Sequence, residues 1–153
     1  MAPKKWADLP TRFVSATALL IVFAIALTAG RIGILTFGFV VVVAMQWELA
    51  QMFGLSGWKS FAVTAVAVLG WLPMIVQPLI LHAGMTLPSV AGFLPILIGA
   101  ALVKSQRGIY ICYGAFVTLG MLSFWSLALN FGSFGIGILA AVVVLSDVGG
   151  YVA

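Results

Sequence analysis

Hydrophobic residues fill long uninterrupted stretches of this chain, and single charged residues separate them. The uncharged stretches cover residues 13–30, 32–47, 49–58, 60–103 and 108–146. An α-helix rises about 1.5 Å per residue, so about 20 apolar residues cross a hydrocarbon core of about 30 Å. The two longest stretches are each long enough for two crossings. The pattern therefore predicts helices of membrane-spanning length.

Turn-forming residues divide the two longest stretches. One break falls at residues 81–84, ahead of a threonine and a proline, and the other falls at residues 130–133, where Asn, Gly and Ser come together. The short stretch 49–58 contains two glycines and is predicted to be the end of a helix and a loop. We therefore expect six helices, at residues 12–30, 32–53, 60–81, 87–103, 109–128 and 134–153.

Strands are not expected in this chain. A strand crosses lipid only in a closed barrel, where polar and apolar side chains alternate, and Phe39–Ala44 shows no such alternation. Pro73, Pro78, Pro88 and Pro95 fall in the third and fourth helices, where each removes a backbone donor and is expected to bend the helix. The predicted fold class is all-α, a polytopic transmembrane helical bundle of about six spans forming one membrane domain.

Composition supports a membrane protein. Hydrophobic residues make up 64% of the 153 residues and charged residues 7%, and the mean hydropathy is +1.27. Soluble domains are about 45–50% apolar and about 25% charged, so a soluble, disordered or disulfide-stapled chain is excluded. The net charge is +4. No basic cluster exceeds Lys4-Lys5, so a nucleic-acid partner is not expected.

The cations predict an orientation. In the six-helix arrangement one side receives six of the seven cations and the other side receives one. Loops rich in Lys and Arg stay in the cytosol, so both termini are expected to be cytosolic. The first apolar stretch is longer than the about 7–15 residues usual in a signal peptide, which favours a retained helix. The six cations are Lys4, Lys5, Arg12, Lys59, Lys104 and Arg107, and the single one is Arg31.

Acidic residues are scarce, and this limits the chemistry. The chain has three, Asp8, Glu48 and Asp147, besides one His and one Cys. Asp147 lies 13 residues into the last predicted helix, about 20 Å along it, which places it in the cytosolic half of the membrane. A carboxylate at that depth can bind a cation, share a proton, or pair with Lys104 or Arg107. A purely structural ion pair is the competing interpretation.

Glu48 is expected near the cytosolic end of the second helix, where interfacial water or Lys59 is within reach. Two alternatives to an enzyme follow from these acids. The chain could be a small transporter or proton-relay protein using Glu48 and Asp147, or it could be a structural membrane subunit. No Walker, nucleophile-elbow or zinc-protease motif is present.

Three segments, in order, resemble one family. The segment Leu9–Leu19, containing Arg12 and Ser15, resembles an R-x-x-S/T-A-x-x-L start, and Trp47-Glu48 resembles a W-E-x-x-x-L/M stretch. The segment Ser146-Asp147-Val148-Gly149-Gly150-Tyr151 resembles an S/A-D-x-G-A-Y motif, with Gly150 in place of the usual Ala. These are motifs of the bacterial phosphatidate cytidylyltransferases, or CDP-diacylglycerol synthases.

The resemblance implies a multi-pass protein of the bacterial inner membrane that joins CTP to phosphatidate, giving CDP-diacylglycerol and pyrophosphate with Mg²⁺. It makes Asp147 a candidate catalytic and metal-binding carboxylate in a cytosol-facing cavity, with Tyr151 beside it. Glu48 and Arg12 match family positions, and we expect structural or interfacial roles for them. The implied partners are CTP, phosphatidate and the bilayer, and a homodimer is left open.

The chain also departs from the family pattern. The basic S-P-K-K-T-x-E-G-type loop expected after Tyr151 is missing, as are the K-D, H-G-G and D-R-x-D elements that carry the main metal-binding carboxylates. The sequence stops at Val152-Ala153 within a hydrophobic run. We therefore expect residues 1–153 to be the N-terminal part of a longer cytidylyltransferase, inactive alone.

Overall fold

The computed structural model describes the backbone of residues 9–80 and 88–152, and the side chains of Val14 and of residues 17–76 and 90–143. These residues are almost entirely helical and include no strand, which confirms the all-α prediction for the part of the chain described. The helices are α1 (Leu9–Thr28), α2 (Gly30–Met52), α3 (Trp58–Ile80), α4 (Pro88–Ala91), α5 (Leu94–Leu102) and α6 (Arg107–Val152).

The first three predicted helices are confirmed, with ends that shift by about three residues or fewer. The prediction of a fourth continuous helix over 87–103 is wrong, because two short helices, α4 and α5, replace it. Pro88 and Pro95 lie at the starts of these helices, where a missing backbone donor costs little, rather than in bent interiors. α3 continues through Pro73 and Pro78 as one helix.

α6 is one long helix that is interrupted by a single non-helical residue. Gly132 has φ 60° and ψ −151°, a conformation open to glycine and costly for other residues. The break falls within residues 130–133, where the sequence predicts one, but it is a single residue rather than a loop between two helices. A straight helix of 46 residues would be about 69 Å long, more than twice the hydrocarbon core. The break divides α6 into two arms, residues 107–131 and 133–152.

The loop between α2 and α3 follows the prediction from its two glycines. Gly54 has φ 76° and its N–H donates to the carbonyl of Gln51 at 3.0 Å. The N–H of Leu55 donates to the carbonyl of Ala50, also at 3.0 Å. This pair of bonds is a Schellman motif, which satisfies carbonyls at the end of α2 and turns the chain toward α3.

α2 is the central helix, and it packs against α1, α3 and α6. The larger buried cluster, the aromatic core, centres on Trp71 of α3 and Trp125 of α6. Their rings are stacked, with centroids 5.4 Å apart and an interplanar angle of 8°. The other buried members are Ile34, Leu35, Val42, Ala67, Met74, Met121, Ala128 and Ile136. Ile136 ties the second arm of α6 to this core.

A second buried cluster holds together one end of the bundle. At this end α2 ends, α3 begins, α5 ends and α6 begins, and Phe53 meets Tyr110 edge to face with centroids 5.3 Å apart. Three cations, Lys59, Lys104 and Arg107, lie in these helix starts and connections, so we call it the basic end. The buried residues are Leu49, Ala50, Leu55, Val63, Ile96, Val103 and Tyr110.

Glycines allow the short helices to pack closely. A Cβ on Gly70 of α3 would lie 2.5 Å from the carbonyl oxygen of Ala91, and a Cβ on Gly92 would lie 3.0 Å from the Trp71 ring. Gly99 of α5 faces the ring of Tyr110, and a Cβ there would overlap the hydroxyl. Within α6, Gly114 meets Ile96 of α5, whereas positions 120 and 137 face open space and position 135 lies against its own helix.

Among the described residues, three helices are long and apolar enough to cross a membrane. They are Gly30–Met52, Trp58–Val76 and Arg107–Val143, and α1 contributes a shorter apolar stretch, Thr17–Thr28. Large apolar side chains also cover the outer surface, for example Phe116 and Phe134, each 78% exposed. Such a surface suits lipid rather than water. These features indicate a membrane protein.

Candidate active site

The two predicted catalytic residues lie near one end of the described chain, and Arg12, which is expected to have a structural or interfacial role, lies near the other end. Asp147 and Tyr151 belong to the second arm of α6, and Arg12 belongs to the first turns of α1. Their side chains lie outside the described set, so whether they meet stays a prediction. The backbone of α6 is helical at positions 147 and 151, and residues four apart share one face of a helix.

Glu48 lies where the sequence predicts it, about one turn before the end of α2. Its side chain is exposed, and no ion pair within the described residues involves it. An exposed carboxylate at a helix end agrees with the interfacial role expected for Glu48. It does not by itself indicate a proton path through the bundle.

Glu48 lines a pocket at the basic end, between the last two turns of α2 and the first three turns of α6. The pocket has a volume of about 410 Å³ and combines an apolar wall with three polar side chains. Gln106 contributes from the connection before α6 and has a positive φ of 59°. We call this cavity the Glu48 pocket. Its lining is Met45, Glu48, Leu49, Met52, Phe53, Gln106, Tyr113 and Val117.

A different face of α2 borders a second, smaller cavity of about 350 Å³ beside the α2–α3 loop. Trp47 and Gln51 line it on α2, and Ser60 lines it on α3. The Ser60 hydroxyl donates to the carbonyl of Gly57 at 3.0 Å, so it is engaged within the first turn of its own helix. Trp47 and Glu48, which are adjacent in the sequence motif, therefore face two separate cavities.

The described cations divide unequally between the two ends of the bundle. Lys59, Lys104 and Arg107 lie at the basic end, and Arg31 lies at the start of α2, at the opposite end. The Nε of Arg107 donates to the carbonyl of Val103 at 2.8 Å, which fixes the base of its side chain. The placement of these four cations agrees with the alternation predicted from the sequence, while Lys4 and Lys5 lie outside the described residues.

Mg²⁺ prefers several oxygen ligands and is usually held by one or two carboxylates together with substrate phosphates. Within the side chains that the structure describes, Glu48 is the single carboxylate, and no three His, Cys, Asp or Glu residues come together. Asp147 stays the predicted metal-binding residue.

Gln46 is a buried polar residue whose position the sequence analysis missed. It is 0% exposed on α2, between Val42 and Ala50 on the packed face, and neither its Nε2 nor its Oε1 has a hydrogen-bond partner among the described residues. The signal was available, since Gln46 is spaced four residues from both of these apolar neighbours. A buried amide without a partner is costly, so it is a weak point in the packing.

We expect Gln46→Met, which keeps the side-chain length and removes the amide, to raise the free energy of unfolding by about 1 kcal/mol. Denaturation in mixed micelles, followed by helical circular dichroism, measures this change. The matched control is Gln51→Met on the exposed side of the same helix, which should stay within about 0.5 kcal/mol of the parent. A loss of stability at position 46 would mean that the amide has a bound partner.

Comparison with known proteins supplies the family. The family model described as "Cytidylyltransferase family" matches residues 10–153. No curated protein and no solved structure matches the chain significantly. The matched range includes α1 to α6 and contains positions 12, 48, 147 and 151. The chain therefore belongs to the cytidylyltransferase family, whose members use CTP in nucleotidyl transfer.

Proposed function

We propose that this protein takes part in the transfer of a cytidylyl group from CTP to phosphatidate, giving CDP-diacylglycerol and pyrophosphate. The observation that carries the proposal is the family match over residues 10–153 of a chain with membrane-length apolar helices. A nucleotidyltransferase embedded in lipid has ready access to an acceptor in the same bilayer. The three sequence motifs support phosphatidate as that acceptor.

In the proposed reaction a phosphate oxygen of phosphatidate attacks the α-phosphorus of CTP. A new P–O bond forms, the bond to the bridging oxygen of the β-phosphate breaks, and pyrophosphate leaves with that electron pair. Charge crowding among the phosphates is the main obstacle, so positioning and charge neutralisation carry most of the catalysis. The positions of Asp147 and Tyr151 on one face of α6 support placing both side chains at this site.

Mg²⁺, when bound with CTP, would supply the positive charge that the phosphates require. We propose that Asp147 is one of its ligands. Further carboxylates must then come from outside this sequence, because it contains only Asp8 and Glu48 besides Asp147. This supports a chain that acts as the N-terminal membrane part of a longer cytidylyltransferase.

We further propose six spans with both termini in the cytosol of a bacterial inner membrane. The described cations at the basic end support this orientation, since positively charged loops stay in the cytosol. The two arms of α6, of about 25 and 20 residues, are each long enough for one span. A reporter fused after Ala153 should be active only as a cytosolic fusion, and periplasmic activity would contradict the arrangement.

The experiment that tests the function is an assay of CDP-diacylglycerol formation from CTP and phosphatidate in vesicles containing Mg²⁺. The chain is assayed alone and joined to the C-terminal segment of a family member that carries the H-G-G and D-R-x-D elements. We expect product from the joined protein and none from the 153-residue chain. Product formation by the 153-residue chain alone would show that no carboxylate from outside this sequence is required.

A further inference from the structure

We propose that the Glu48 pocket binds an amine-headed phospholipid of the phosphatidylethanolamine type, with its ammonium group on the Glu48 carboxylate. This inference does not depend on the proposed cytidylyl transfer, whose lipid substrate is anionic and has no amine. It rests on the shape, the depth and the charge of the pocket.

The shape of the pocket suits an amphiphile. Met45, Leu49 and Val117 form an apolar wall, while Glu48, Gln106 and Tyr113 carry the polar groups. The volume of about 410 Å³ accommodates a headgroup and the first part of an acyl chain but not a whole diacyl lipid. The remainder of the occupant must therefore continue into the surrounding lipid.

The depth of the pocket agrees with such an occupant. It extends from Met52, the last residue of α2, to Met45, about two turns or 10 Å further in. The end of a membrane-length helix lies at the headgroup level, and two turns inward lies the start of the hydrocarbon. Gln106 lies at the outer end of the pocket and Glu48 about one turn further in, whereas the apolar residues Met45 and Val117 lie deepest.

The charge of the pocket selects the headgroup. Glu48 lies about one turn from the C-terminus of α2, where the helix dipole is negative and a carboxylate is disfavoured. No cation in the described part of the chain forms an ion pair with it. A primary ammonium is a compact cation with three N–H donors, so it complements both the carboxylate and the helix end.

A cation for the phosphate of a zwitterionic lipid lies next to the pocket along the chain. Arg107 directly follows the lining residue Gln106, and within the described residues its guanidinium donates through Nε to the carbonyl of Val103. The remaining N–H groups of the guanidinium can donate to a phosphate oxygen. An ammonium at Glu48 and a phosphate at Arg107 would join the end of α2 to the start of α6.

The test is a lipid titration of the purified chain in detergent micelles, read by native mass spectrometry. The probes are phosphatidylethanolamine and phosphatidylglycerol with identical acyl chains. We expect Glu48→Gln to weaken phosphatidylethanolamine binding about ten-fold, the loss of one charge-assisted contact, and to leave phosphatidylglycerol binding equal or stronger. Glu48→Asp, which keeps the charge, should retain most of the affinity.

Two further variants locate the site. Val117→Trp fills the apolar wall and should weaken phosphatidylethanolamine binding without any change of charge. Gln51→Ala lies on the other cavity of α2 and should bind as the parent does. The proposal is overturned if Glu48→Gln changes the affinity for phosphatidylethanolamine less than two-fold, or if the parent binds both lipids equally. Because these readouts measure lipid retention, they are independent of any cytidylyltransferase assay.

Discussion

Replacing Asp147 with Asn should lower the rate of CDP-diacylglycerol formation by at least about 100-fold in the joined, active protein. The substitution keeps the size of the side chain and removes its negative charge. We propose that the carboxylate holds a cation against the phosphates of CTP, so the substitution removes part of the neutralisation of the phosphate charge. This neutralisation is usually the largest single contribution to this type of catalysis. The measurement is the initial rate at saturating CTP and phosphatidate.

The controls separate a catalytic role from a structural one. Ile138→Val, on the same arm of α6 and half exposed, should keep full activity. Asp147→Glu should retain part of the activity and require more Mg²⁺, because a displaced carboxylate still binds a cation. Full activity of Asp147→Asn would remove this residue from the site. If Asp147→Asn instead abolished a proton flux and left product formation intact, the result would favour the proton-relay alternative.

Replacing Trp71 with Ala should lower the free energy of unfolding by about 3 kcal/mol, and this is the largest stability effect expected in the bundle. Trp71 is 0% exposed, stacks on Trp125 and packs against Gly92. Helix association in lipid depends on packing rather than on transfer out of water, so the loss lies at the low end of the range for buried tryptophans in soluble cores. Unfolding in mixed micelles, followed by circular dichroism, measures it.

Trp58→Ala provides the matched control, because Trp58 is 69% exposed at the start of the same helix. It should change stability by no more than about 0.5 kcal/mol. Trp71→Phe should cost less than Trp71→Ala, since the indole Nε1 has no hydrogen-bond partner in the described part of the chain and only part of the ring is lost. A loss below about 1 kcal/mol for Trp71→Ala would contradict the central place of this ring in the core.

Local patterns predict much of the fold. Turn residues located the end of α2 and the start of α3, because Gly54 adopts the positive φ that a Schellman motif requires. The break in α6 was likewise placed at a glycine that adopts a conformation costly for other residues. Each of these features is determined by residues only a few positions away, so it can be predicted from the local sequence.

Features that depend on distant residues could not be predicted in the same way. The break between α4 and α5 coincides with the contact of Gly92 with Trp71, 21 positions earlier in the chain, and with the Thr118 hydroxyl, 26 positions later. The burial of Gln46 depends on which helices cover α2. The same limit applies to the candidate site: the sequence gives the number of acidic residues but not whether any of them come together.

The break between α4 and α5 constrains the order in which the bundle can assemble during synthesis. Together these helices cover residues 88–102, about 22 Å of helix, which is shorter than the hydrocarbon core. The carbonyl of Gly92 accepts a hydrogen bond from the Thr118 hydroxyl at 3.5 Å, and the carbonyl of Ala91 lies against Gly70. Backbone groups at this depth need partners within the protein. A nascent chain that has emerged only as far as α5 lacks the Thr118 hydroxyl, which is the hydrogen-bond donor for the carbonyl of Gly92. We therefore expect α4 and α5 to insert stably only after the first arm of α6 has been synthesised.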